Sequence, residues 1–208
     1  MFGLFFAFVG AQSFMGFFDY NGSEKEHGRP PVGYVEYLTS GDFVESVFEN
    51  WESEFLQMGS YVVLTAFLYQ RGSAESRDPE TPHPDDAGYG EGRHSADAPW
   101  PVRRGGVALK VYENSLSLAF LALFLFSFAM HAIGGADAYS QEQVEHGAQP
   151  VSALQYLATP RFWFESFQNW QSEFLAIGAM IVLSIYLRQR SSPESKAVTS
   201  PHGKTGSE

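Results

Sequence analysis

Apolar residues fall into four blocks separated by long polar stretches, and each block predicts a helix. The clearest covers residues 115–133, SLSLAFLALFLFSFAMHAI, which carries no formal charge. At 1.5 Å per residue such a helix is about 28 Å long, close to the roughly 30 Å hydrocarbon thickness of a bilayer. A water-exposed helix keeps a polar face, and this one offers only three serines and His131. So short a chain has little with which to surround several such helices, so the block reads as a membrane crossing rather than a core helix. Residues 1–18, MFGLFFAFVGAQSFMGFF, form a second block. No basic segment precedes its apolar run, so it reads as a first crossing and not as a signal peptide. Residues 55–69 and 174–187 are each too short to span alone. Each follows a helix-compatible segment, so the helix extends outward. No proline interrupts residues 41–78 or 161–192, which predicts two long helices of about 30 residues, near 45 Å.

Self-similarity organises these blocks. Adding 119 to a residue number maps the first half onto the second without gaps: His27 to His146, Trp51 to Trp170, Glu54 to Glu173, Arg71 to Arg190. Between residues 20 and 77, about 25 of 58 positions are identical, too many for chance. The densest match is NWESEFL (50–56) against NWQSEFL (169–175). The expectation is an all-α integral membrane protein with four transmembrane helices in two parallel tandem repeats, plus short interfacial outer helices. The repeats take residues 1–71 and 111–190. A disordered cytoplasmic linker, 72–110, joins them, and a flexible cytoplasmic tail, 191–208, follows. Thr159–Pro160 is a helix start, with Ser40 in the matching place. The stretch VYENSLSLA at 111–119 has no counterpart before Met1, so the first crossing is short or its opening turns are missing.

Charge sets the orientation. Ten of the thirteen basic residues lie between residues 71 and 110 or from 188 onward, which places linker, tail and both termini in the cytoplasm of a plasma-membrane protein. Composition then removes function classes. A formal net charge of −11 excludes a nucleic-acid binder, and zero cysteines exclude thiolate metal sites and cysteine nucleophiles.

The repeated motif carries the candidate chemistry. At 100° per residue, Asn50, Ser53 and Glu54 share one side of a helix, as do Asn169, Ser172 and Glu173. His131 sits at about the depth of Glu173, and Gln12 holds its equivalent place. A carboxylate at membrane depth is costly unless paired or hydrated. Two readings follow: a pseudo-symmetric polar site around Glu54 and Glu173 for a cation, proton or polar ligand, or residues that simply fix helix–helix register. His27 and His146 open matched HG turns. No HxxH or HxxxE spacing surrounds them, so no metal is expected there, and a hydrogen bond holding the loop is the favoured role.

With its two NWxSEFL segments, HG turns and (Q)R-x-S-x-ES exits, the chain resembles an uncharacterised family of bacterial integral membrane proteins classed as a domain of unknown function. The resemblance implies membrane residence and no activity. No nucleophile–base constellation is present, so no enzyme is expected, and no cofactor is implied. The expected partners are the lipid bilayer and a second copy or another membrane protein, with no nucleic acid. The role is then that of a non-enzymatic structural or partner-binding membrane protein, or of a small transporter or ion-handling protein using Glu54 and Glu173. Reporter fusions at position 90 and at the C-terminus should both read as cytoplasmic and one at position 30 as external. A cytoplasmic signal at 30 would overturn the charge argument.

Overall fold

The structure is a computed structural model that describes residues 2–78, 80–81, 88–90, 95 and 97–206. Every regular element among the described residues is an α-helix: α1 Phe2–Glu26, α2 Tyr34–Leu38, α3 Gly41–Phe67, α4 Trp100–Arg104, α5 Gly106–Glu113, α6 Ser115–Glu145, α7 Ala153–Tyr156 and α8 Pro160–Tyr186. Two of them, α1 and α6, are long and apolar enough to cross a membrane by length and composition. The two long helices α3 and α8 are 27 residues each, close to the expected length of about 30. Their start points, Gly41 and Pro160, lie 119 positions apart, as do their ends.

Local sequence accounts for the starts and stops. Thr159 Oγ1 accepts from Phe162 N at 3.4 Å ahead of Pro160, and Ser40 Oγ accepts from Phe43 N at 3.3 Å. These hydroxyls satisfy amides that a first helical turn leaves open. At α7, Ser152 Oγ accepts from Gln155 N while Gln155 Oε1 accepts from Ser152 N at 2.8 Å, a reciprocal capping box. Residues 100–110, within the stretch read as linker, are helical. Pro101 stands in the first turn of α4, and Gly105 and Gly106, both at positive φ, separate α4 from α5.

Two compact units divide the chain. The first takes residues 1–53 and 124–169, and the second takes 54–123 and 170–208. In the second unit the tail folds back. Lys196, buried, donates to the carbonyls of Gly72, His202 and Lys204, and Gly72 N donates to Thr205 Oγ1 at 2.9 Å. The backbone carbonyls supply the acceptors that a buried ammonium needs, which is why this part of the tail is ordered.

Burial runs opposite to that of a water-soluble protein. The buried set includes Ser13, Glu24, Glu52, Ser53, Ser127 and His131, whereas Phe2, Phe6, Phe8, Leu116 and Leu125 are exposed. Along α6 every buried residue lies from Ser127 onward and is small or polar, and Leu116, Leu118, Leu121, Leu123, Leu125 and Phe126 before it are exposed. Apolar side chains turned out over whole helices have no favourable surroundings in water and suit hydrocarbon.

In the first unit, α3 and α6 cross at glycine. A Cβ on Gly134 would stand 2.7 Å from Glu45 N, and one on Gly41 would stand 2.6 Å from Gly134 O, so backbone meets backbone there. Close approach through small residues is how apolar-faced helices gain packing where no water is expelled. Gly134→Ala should therefore lower the melting temperature in detergent, a cost of about 1–3 kcal/mol for an overpacked backbone contact. Gly178→Ala, where a Cβ meets nothing within 4 Å, should leave it unchanged or raise it. Equal melting temperatures for the two variants would show that the crossing is not close.

Candidate functional site

Three helices and one short turn of helix place a polar cluster in the first unit. On α3, Glu45, Glu49 and Glu52 recur at i, i+4 and i+7 and share one face. On α8, Arg161, Glu165 and Asn169 recur at i, i+4 and i+8. α6 contributes His131 one turn after Ser127, and α7 ends on Tyr156. Behind the polar groups Phe162, fully buried, stacks on the His131 ring with centroids 4.6 Å apart.

His131 is at the centre and its side chain is fully shielded from solvent. Its Nδ1 lies 2.9 Å from Glu52 Oε2, itself fully buried. A carboxylate accepts, so Nδ1 carries the hydrogen. The opposite nitrogen, Nε2, points toward Glu165 Oε2 at 3.7 Å and makes no hydrogen bond among the described residues. Glu165 is held from its other side, where Arg161 Nε donates to Oε1. Asn169 donates to Glu49.

Tyr156 joins two of the carboxylates. Its hydroxyl lies 2.9 Å from Glu45 Oε1 and also bonds Glu165 Oε2. One hydroxyl has one hydrogen and cannot serve two ionised carboxylates at once. Glu45 and Glu165 precede the stretches 50–69 and 168–187, and their environments diverge. Burial pushes the Glu45 carboxyl up to about 7, helped by the negative charge of Glu165. Burial also acts to raise Glu165, but the nearby His131 ring and the hydrogen bonds from Tyr156 and Arg161 outweigh it and hold that carboxyl down to about 2. The hydrogen count closes when Glu45 keeps its proton and Tyr156 donates to Glu165.

The cluster opens to the outside of its unit. A cavity of about 820 Å³ has Glu45, Tyr156 and Arg161 in its wall. Asp19, Asp42 and Glu142 line it further out, so the approach is acidic.

The residues singled out from sequence divide between the units. His131 lies in the cluster, and Asn169 is bonded to its edge. Gln12, exposed, donates to Ser46 Oγ at 3.3 Å. Asn50 Nδ2 donates to Ser46 O at 2.7 Å, and Ser53, buried, donates to Asn50 O at 2.8 Å, so both bond within their own helix. Glu54 and Ser172 are exposed and Glu173 is half-buried, and all three belong to the second unit. There Gln57 Nε2 reaches the Glu173 carbonyl at 3.5 Å. None of the three takes part in the hydrogen bonds of the His131 cluster. Two residues along a helix turn a side chain by about 200°, so Glu52 faces inward where Glu54 faces outward. Sequence reasoning passed over Glu45, Glu49, Glu52, Tyr156, Arg161 and Glu165. The signal for the α3 and α8 stripes was present as charges at helical spacing. His27 and His146 each donate from Nδ1 to the carbonyl four residues earlier, Ser23 and Glu142, at 2.8 Å, and hold their turns as expected.

One family matches this chain, described as a domain of unknown function, DUF6766, over residues 1–207. No curated protein and no solved structure matches it.

The raised Glu45 carboxyl fixes a pH dependence. Between its ordinary value and about 7 the folded protein holds a proton that the unfolded chain has released, so stability falls as pH rises through that interval. Melting temperature at constant ionic strength should decline from pH 5 to pH 8, and Glu45→Gln should flatten that slope. An unchanged slope in the variant would place the titration elsewhere.

Proposed function

We propose that this chain, which belongs to the DUF6766 family, is a non-enzymatic, four-crossing membrane protein that handles cations at the His131 cluster. Membrane residence is supported by the two apolar helices and by the outward-facing Phe and Leu side chains. The matched 119-residue offsets of α3 and α8 support the paired-repeat arrangement, with α3 and α8 completing the crossings. Cytoplasmic termini follow from the lysine and arginine distribution, and they put the acidic cavity on the outer side.

One observation carries the cation reading over a purely structural one. Under the 119-residue offset His131 corresponds to Gln12, Glu165 to Ser46 and Glu52 to Gln171. Gln12 and Ser46 bond to each other at 3.3 Å, the neutral equivalent of the His131–Glu165 contact. Tyr37 packs on Phe43 as Tyr156 packs on Phe162. A neutral pair therefore suffices to join these helices, and the charged version is an addition that a scaffold does not need. Burying ions costs several kcal/mol each before their pairing offsets it. Glu49, Glu52 and Glu165 stand against Arg161 and one histidine, and Asp19, Asp42 and Glu142 on the cavity wall add to the negative charge that attracts a cation.

Exchanging each charged residue for its counterpart tests this. The triple variant His131→Gln, Glu165→Ser, Glu52→Gln should still insert and purify as a single species. In proteoliposomes the unaltered protein should dissipate an imposed gradient of protons or of mono- or divalent cations, and the variant should lose at least nine-tenths of that rate. No flux from the unaltered protein, or equal flux from the variant, overturns the reading. So does flux that persists in the single variant Glu165→Gln.

A further inference from the structure

We infer that Glu45, His131 and Glu165 form a binding site for one divalent first-row transition metal, with Glu52 as the group that orients the histidine. The inference rests on the reading of this cluster as a cation site and names the class of cation. One ligand atom from each of the three residues lies within 4.8 Å of the others. Donors on a common zinc-like ion at about 2.0–2.2 Å stand roughly 3.3–3.6 Å apart in a tetrahedral arrangement. The His131 Nε2 to Glu165 Oε2 separation, 3.7 Å, is already near that value. Glu45, which lines the cavity, needs a shift of about an ångström.

The histidine is set up as a ligand. Glu52 takes the Nδ1 hydrogen at 2.9 Å, so once the ring gives up its second proton to an incoming metal the lone pair lies on Nε2. A carboxylate on the remote nitrogen of a ligating histidine fixes its tautomer and angle in metal sites. Nε2 is fully buried, makes no hydrogen bond among the described residues and is directed at a carboxylate oxygen. A proton between Nε2 and Glu165 Oε2 suits the pair, and a metal ion that displaces it forms two coordinate bonds in its place. Arg161 occupies the other oxygen of Glu165, so only Oε2 is turned inward.

The surroundings fit the remaining coordination. Gly135 on α6 leaves the space into which Glu45 reaches, since a Cβ there would stand 2.6 Å from Glu45 Oε1. Tyr156 bonds Glu45 Oε1 and Glu165 Oε2, so its hydroxyl ties the two carboxylates together beside the proposed ion position. The cavity side of Glu45 leaves an open position and an entry path. One imidazole with two carboxylates selects zinc, manganese, iron or cobalt over calcium or magnesium, which take oxygen ligands.

The test uses the full chain, purified in detergent, stripped with chelator and titrated with Zn²⁺ at fixed pH. Calorimetry should show one equivalent bound. His131→Gln and Glu45→Gln should each weaken binding more than tenfold. Glu52→Gln, which touches no ion, should weaken it about ten- to a hundredfold. His27→Ala and His146→Ala should leave it unchanged. X-ray absorption of the zinc-loaded protein should show a single imidazole and oxygen ligands, a readout that does not depend on any variant folding. An absorption spectrum without imidazole, or stoichiometric binding that survives His131→Gln, overturns the site. Zinc binding without flux in proteoliposomes overturns the transport reading and leaves the site standing. Flux of other cations without zinc binding does the reverse.

Discussion

The buried contact between His131 and Glu52 is the constraint on which the first unit turns. Both side chains are fully removed from solvent, and each without the other would be an uncompensated polar group in a low-dielectric setting. Their pairing fixes the rotation of α6 against α3, and through Nε2 it fixes what α8 must present. Glycine at 41 and 134 then follows as a requirement, because the two helices must approach to backbone contact. Gly135 follows for a different reason, as the gap into which Tyr156 and Glu45 fit.

Charge in this unit is distributed unevenly for a chain so nearly duplicated. Glu45, Glu49 and Glu52 on α3 have Phe164, Gln168 and Gln171 at the offset positions, all neutral. The three carboxylates of α3 therefore turn toward His131, and nothing comparable turns toward Gln12. The residues around Gln12 and those around His131 pack alike, and only the His131 set bears the electrostatic cost of ionised groups. Stability alone gives no reason for that difference, since replacing buried ion pairs with neutral or apolar groups is often neutral or favourable.

Helix positions were legible in the sequence because they depend on local signals. The capping hydroxyls of Ser40 and Thr159 and the apolar run of 115–133 act within one or two turns, and the structure places helix starts and a long helix there. The cluster was legible only in part. His131 stood out as the one ionisable group in an apolar run, but its partners come from α3, α7 and α8, more than 20 residues away in sequence. Spacing rules for metal or catalytic motifs read a single segment and cannot register ligands gathered from separate helices. The NWxSEFL repeat drew attention to Glu54 and Glu173 because they recur. Glu52, which recurs as Gln171, is the carboxylate turned inward. Repetition marks what both units need to fold, so the residues that differ between them are the better guide to chemistry. The order in part of the tail had no local signal, since the carbonyls around Lys196 come from both sides of the second unit's sequence.

Arg161 defines how the site faces its cavity. It is half-exposed, donates to Glu165 Oε1 and lies 3.8 Å from Glu142, so it bridges the cluster and the acidic wall. A guanidinium is always charged and too large to follow a small ion between Nε2 and Oε2. It therefore neutralises the outward half of Glu165 without competing for the inward half. The carboxylates around it concentrate cations at the mouth, and Arg161 sets which Glu165 oxygen they meet. Ser46, 119 positions before Glu165, has a single oxygen already bonded to Gln12 and Phe43 and offers no such division. The pairing of Glu165 with Arg161 thus makes one carboxylate serve two ends, and it explains why the charged pair and not its neutral counterpart is the one that faces a cation.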